Sequence, residues 1–218
     1  MARIRAIEHR DSEHLAKMHQ RAMGNSLWSQ LGRRFLVELY RGLVDSPYFL
    51  GFVYEERDDD GQLKIMGFIA GSTDTESMYS GVFQRRWAVL GATAVPGILR
   101  RPWVLARLLQ TPKYSKLSSP PQAEIPGESL FCSFEPELRG KRISGHINKV
   151  LFDELLARGH AEVKVSTEKA NEGANRQLKS WGFEEIHHFQ FYGKEMVTYA
   201  LNLEQSERVE PRSVHRAV

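Results

Sequence analysis

The chain has a single cysteine among its 218 residues, Cys132. That excludes an internal disulfide and any multi-cysteine zinc site. Long apolar runs are missing too. The stretch from Trp87 to Leu99 is too short to span a bilayer, and Pro96-Gly97 is expected to break it. The opening residues, "MARIRAIEHRDSEH", are charged throughout and include no apolar leader, so a reducing cytoplasm is the expected compartment. No internal repeat is present. A net charge of +3 is too small to imply nucleic acid. The basic residues also lack the aromatic interleaving of a stacking platform, so no nucleic-acid partner is expected. Histidines offer no metal geometry: His187 and His188 are adjacent and would face opposite sides of a strand, while His14 and His19 stand five apart. No metal is assigned.

What is present is a legible alternation of elements. "RIRAI" reads as a first strand, and Asp11 or Ser12 can cap a helix that Gly24 stops. Asn25 or Ser26 caps a second helix, whose Leu27, Leu31, Phe35, Leu39 and Leu43 keep helical spacing until "DSP". "FLGFVYEE" and "IMGFIAGS" form a hairpin around "RDDDGQ". Residues 76–121 read as a helical insertion that dissolves into a Pro/Ser-rich linker, "TPKYSKLSSPPQ". "SLFCSF" is the candidate central strand, followed by a helix from Ile143 to Arg158 that Gly159 closes. "EVKVST" is a strand, "NEGANRQLKSWGF" a short helix, and two closing strands end near residue 203. The segment 204–218 has little to pack and is expected to be a mobile tail. The fold class is therefore mixed α/β, a single domain over 1–203.

Between "SLFCSF" and the long helix stand Arg139, Gly140, Lys141 and Arg142. A helix start already carries about half a positive charge and several unpaired N–H groups. Further cations there suit an anion, and Gly140 would let the backbone approach it closely. A solvated basic loop is the competing reading of the same residues.

The turn "ELRGKRISGHI" together with "NEGANRQLKSWGF" resembles the GNAT superfamily of acetyl-CoA-dependent N-acetyltransferases. The family's pyrophosphate loop runs Arg or Gln, two residues, Gly, one residue, Gly or Ala. Arg139 matches the first position, while Arg142 and Ser144 occupy the two small-residue positions. In the later motif Asn171, Ala174, Gly182 and Phe183 fall in register, and Leu178 replaces the usual tyrosine. The resemblance covers roughly residues 3–203. It implies a mostly antiparallel sheet flanked by helices, with the helical insertion lying between the third and fourth strands.

It further implies acetyl transfer from acetyl-CoA to a primary amine of a small-molecule or sugar-linked acceptor. By the same resemblance the backbone of Cys132, Ser133 and Phe134 holds pantetheine. Arg139, Gly140, Lys141, Arg142, Ile143, Ser144 and Gly145 hold the diphosphate. Asn171 and Ala174 lie near the pantetheine, and Glu128 at the strand start is the candidate general base. The departures at Arg142, Ser144 and Leu178 leave a non-catalytic acyl-CoA-binding module as the alternative. The insertion, with Trp87, Trp103 and five arginines between residues 84 and 107, fits an interfacial membrane helix, a lid over the acceptor or a homodimer contact. The sequence leaves these open, and with them a membrane-associated acyltransferase.

Overall fold

The computed structural model describes residues 2–119, 125–138, 141 and 143–210. In chain order the elements are β1 (Arg3–Ala6), α1 (Ser12–Ala22), α2 (Leu27–Leu31), α3 (Arg33–Val44), β2 (Phe49–Arg57), β3 (Leu63–Ser72), α4 (Thr75–Arg100), α5 (Trp103–Leu108) and α6 (Tyr114–Ser118). They continue with β4 (Glu128–Phe134), α7 (Ile143–Ala157), β5 (Glu162–Glu168), α8 (Glu172–Ser180), β6 (Glu184–Phe191) and β7 (Lys194–Asn202). Seven strands form one sheet in the order β1-β2-β3-β4-β5-β7-β6. Every pairing is antiparallel except β4 with β5.

The period-two alternation of strands explains why both faces are covered. Neighbours Phe68 and Ile69 on β3 are both fully buried, yet they belong to different apolar clusters. One cluster packs α1 to α4 onto the sheet through Leu15, Phe35, Leu39 and Met78. The other packs α7 through Ile147, Leu151 and Leu155 against Val163, Val197 and Leu201. At the sheet edge Arg5 forks onto Asp11 at 2.7 and 2.9 Å and reaches Glu55 at 2.6 Å, tying β1, β2 and the start of α1 together. Burial would raise the Asp11 carboxyl, but the Arg5 guanidinium overrides it and holds the group below its usual range.

Three sequence expectations need correction. The second helix is two helices, because Gly32 takes φ 108°, a region that side-chain-bearing residues rarely enter. Ser26 caps the first of them, accepting the Ser29 N–H at 3.3 Å. Pro96-Gly97 does not end the insertion's helix, which runs on to Arg100 and instead bends at Arg86 (φ −120°, ψ 19°). Gly97 is there for contact: a Cβ would clash with the backbone of Leu31, so α4 lies directly on α2. Finally, the supposed linker is ordered through residue 119 and contains α6. Residues 120–124 lie outside the described residues.

In the segment from 204, most described residues are exposed, with two anchoring contacts. Val209 is buried in the α7 cluster, and the Glu210 N–H donates to Asp153 Oδ1 at 2.8 Å. Residues 211–218 lie outside the described residues.

Candidate functional site

The two central strands part where they meet. β4 pairs with β5 at a single position, Glu128 opposite Lys164, and the Lys164 N–H donates to Gly127 O at 2.9 Å. On its other side β4 stays paired to β3 from Glu128 to Phe134, with a register shift that leaves Leu130 without an opposite residue. Beyond Glu128, then, the β5-facing edge of β4 has no strand partner among the described residues, and its backbone groups can bind something else. A cleft of about 1220 Å³ opens there.

One half of the cleft is walled by Asn148 and Phe152 of α7, Val165 to Glu168 of β5, and Asn171, Ala174 and Leu178 around α8. Asn171 caps α8, its Oδ1 accepting the Ala174 N–H at 3.2 Å. Cys132 is exposed along this cleft, and the protein packed around it pushes its thiol up to about 12. It is a wall residue, since a thiol held neutral is a poor nucleophile. Ser133 is buried, and the Phe134 ring lies over Gly67, so neither side chain lines the cleft.

At the foot of α7, Lys141 is exposed and its N–H donates to Leu138 O at 3.2 Å. Ile143 packs into the α7 cluster, the Ser144 carbonyl accepts from Asn148 Nδ2 at 2.7 Å, and Gly145 faces open space. Arg139, Gly140 and Arg142 lie outside the described residues.

The other half of the cleft is aromatic. Trp28 stands 5.9 Å from both Tyr79 and Phe83, and Tyr114 packs 5.1 Å from Phe191. The insertion supplies most of this wall and fastens it to the far side of the sheet. Thr111 Oγ1 lies 2.8 Å from Tyr192 Oη, Thr198 Oγ1 donates to Ser118 O at 2.9 Å, and Lys164 Nζ donates to Ser119 Oγ at 2.7 Å. Tyr192 itself is held at φ 51° in the β6–β7 turn.

Glu128 sits beneath this wall, 1% exposed. Tyr114, which does line the cleft, donates its hydroxyl proton to Glu128 Oε1 at 2.9 Å. Burial pushes the Glu128 carboxyl up, against the opposing pull of Lys164 and of the Tyr114 hydrogen bond. The result is a carboxylate with raised basicity and one phenol between it and the cleft. Sequence reasoning missed Tyr114, because its Pro/Ser-rich neighbours read as linker. The available signal was Tyr114 and Leu117 at helical spacing, two residues after Pro112.

His19 braces the same region from behind. It is fully buried, with Nδ1 2.8 Å from Tyr40 Oη, Nε2 3.3 Å from the cleft residue Ser26 and its ring 5.0 Å from that of Phe131 on β4. Burial pushes its pKa down to about 4, which keeps the imidazole neutral. Tyr192 lines the cleft, whereas the Tyr199 hydroxyl is engaged with Asn175 at 3.0 Å and Glu185 at 3.1 Å. Among the described residues no group of three His, Cys, Asp or Glu side chains could hold a metal ion.

No protein-family sequence model matches the chain, and no curated protein sequence matches it. Solved structures do. The ribosomal-protein-S18-alanine N-acetyltransferase from Escherichia coli superposes with a TM-score of 0.57 at 15% identity, covering 93% of this chain and 94% of that one. NAA60 of Arabidopsis thaliana, solved in complex with acetyl-CoA, gives 0.58 at 11% identity over 94% and 99%. The spermidine/spermine N-acetyltransferase SpeG from Vibrio cholerae, solved in mutant forms, gives 0.53 at 14% over 94% and 96%. The fold of this chain is the GNAT fold.

Proposed function

We propose that this protein is an acetyl-CoA-dependent N-acetyltransferase acting on a primary amine of a small-molecule or sugar-linked acceptor. The observation that carries the reading is the parting of β4 from β5 after one pair, which leaves a free strand edge along a cleft of about 1220 Å³. That edge fits a pantetheine arm, whose amides need backbone partners, and the fold is shared with a structure solved in complex with acetyl-CoA. The bound cosubstrate supplies the activated acetyl group as its thioester.

The protein's own residues then divide the work. Backbone groups of Cys132, Ser133 and Phe134 on the free edge hold the pantetheine. Residues 139–145, from Arg139 to Gly145 at the start of α7, hold the diphosphate with their N–H groups and the cations Arg139, Lys141 and Arg142. Asn171 and Ala174 form the facing wall. A free N–H of β4 donates to the carbonyl oxygen as it gains charge.

The acceptor enters between Trp28, Tyr79, Phe83 and Tyr114, where aromatic faces suit a ring or apolar body. An alkylammonium with a pKa of about 10.4 must lose a proton before it attacks. The ammonium passes its proton to the Tyr114 oxygen while the Tyr114 proton moves to Glu128, so the phenol ends neutral and the carboxylate protonated. Leu178 cannot protonate the departing sulfur. A free thiol has a pKa of about 8.5, so water is a sufficient donor.

The test is a titration with acetyl-CoA followed by a screen of amines for release of free CoA. Saturable binding that Arg139→Glu weakens, with turnover on some amine that Glu128→Gln abolishes, supports the assignment. Binding without turnover on any amine makes the protein an acyl-CoA-binding module, which the substitution at Leu178 favours. Absence of binding overturns both.

A further inference from the structure

The inner side of the insertion lines the cleft, but its outer side is unusual for a surface helix. From Trp87 to Leu99 α4 has no charged residue. Its solvent-facing positions, among them Trp87, Ala88, Ala92, Val95, Pro96 and Leu99 at helical spacing, include no polar side chain. Trp87 is 74% exposed and Leu99 78%. Two residues after α4 ends, α5 exposes Trp103 and Leu105, and Leu109 is exposed just beyond it. A scattered exposed leucine needs no explanation, whereas a continuous apolar row with two exposed tryptophans marks a surface that is covered by something.

The charge around the row says what covers it. Between Glu76 and Glu124 the chain has no acidic residue and carries five arginines and two lysines. Arg86 is committed to Glu38. Arg85, Arg100 and Arg101, at the two ends of the row, form no ion pair among the described residues. An isologous pairing of two copies through this face would press unpaired arginines together with no carboxylate to meet them. An apolar row with tryptophans at its margins and arginines at its ends has instead the composition that rests at lipid headgroup depth on an anionic bilayer. No helix among the described residues is long and apolar enough to cross a membrane, which fits a segment that lies on one.

We propose that the outer face of α4 and α5 docks on an anionic lipid surface, with Trp87, Leu99 and Trp103 inserted and Arg85, Arg100 and Arg101 on the headgroups. This does not rest on acetyl transfer. It has a consequence for the cleft, because α5 contributes Arg107 and Leu108 to its wall. Docking would hold the acceptor mouth next to the bilayer.

The experiment is partition of the full chain onto vesicles of phosphatidylglycerol with phosphatidylcholine, against phosphatidylcholine alone, read by sedimentation and tryptophan emission. The expected result is partition onto the anionic vesicles only, weakened by salt, with a blue shift quenched by bromolipids. Each arginine at an anionic surface contributes about fivefold, so Arg100→Glu with Arg101→Glu should weaken partition by about 25-fold or more. Trp87→Ser with Leu99→Ser should abolish the blue shift of Trp87 and weaken partition by more than about tenfold. These side chains are exposed, so unchanged thermal unfolding checks that both variants fold. No partition onto anionic vesicles, or partition that both variants retain, overturns the proposal. Concentration-dependent dimers lost in the serine variant, without vesicle binding, would overturn it in favour of a second copy.

Discussion

The α7–α8 half of the cleft and the insertion half meet at Tyr114, but they are made of different material. The first is backbone: an unpaired strand edge and helix starts, braced by sheet pairing on the other side of β4. The second is side chain: Trp28, Tyr79, Phe83 and Tyr114, brought in by the long α4 and the short α2 and α6, with the insertion also tied to the β6–β7 turn. A site held by backbone tolerates loosely matching residues, because N–H and C=O groups are common to all of them. Under the proposed function, this would let the turn serve despite Arg142 and Ser144. A site held by aromatic side chains is specific to its residues and exposed to any shift of the helices carrying them.

The comparison predicts separable losses. Glu128→Gln, at the junction, should lower kcat by about 10²–10⁴-fold while acetyl-CoA affinity is kept, as steady-state kinetics and calorimetry would show. Acid should act next most strongly, through a group behind the insertion half. The buried neutral His19 stabilises fully above about pH 6.5, and that contribution is lost as pH falls toward its folded value of about 4. The loss is on the order of 3 kcal/mol. Asp11 and Glu55, held low by arginines, add their own loss at still lower pH. His19→Gln should flatten the upper part of the thermal stability profile between those limits.

Arg139→Glu should weaken acetyl-CoA by tenfold or more, mostly as KM rather than kcat, because the proposed role of the loop is to hold the cosubstrate away from the reacting atoms. Gly97→Ala should cost about 1–3 kcal/mol in thermal unfolding by pushing α4 off the Leu31 backbone, and it should raise KM for the amine more than for acetyl-CoA. Equal effects on both would mean that the halves are one unit. Smallest in stability is Tyr114→Phe, which keeps the ring packing and removes one hydrogen bond worth about 1 kcal/mol, but it also cuts the proton path to Glu128 and should lower kcat about as far as Glu128→Gln does. That bond lowers the Glu128 pKa, so its loss should move the acid limb of the kcat profile toward higher pH.

Legibility followed the same division. The strands, α1, α7 and α8, and the positions of Asn171 and Gly159 followed from alternation, helical spacing and caps, because those signals are local. The break at Gly32 and the continuity of α4 through Pro96 were not legible. The first is a backbone conformation, φ 108° at Gly32, and the second goes with a close contact of Gly97 on the Leu31 backbone, across a sequence separation no local pattern reports. Tyr114 was hidden for the same reason. Its helix is five residues long, too short to form alone. It is ordered by Glu128, Phe191 and the strand beneath it.

The sequence by itself determined the α/β alternation, the cationic turn before α7, the capped helix that follows β5 and the apolar run of the insertion, since each is written in residues a few positions apart. Only the tertiary structure decided that β4 and β5 part after one pair, that Glu128 lies buried behind Tyr114, and that the apolar run faces outward along one side of α4. The physical reason is that burial and strand pairing depend on long-range packing, which fixes what a residue finally touches and how strongly it holds its proton.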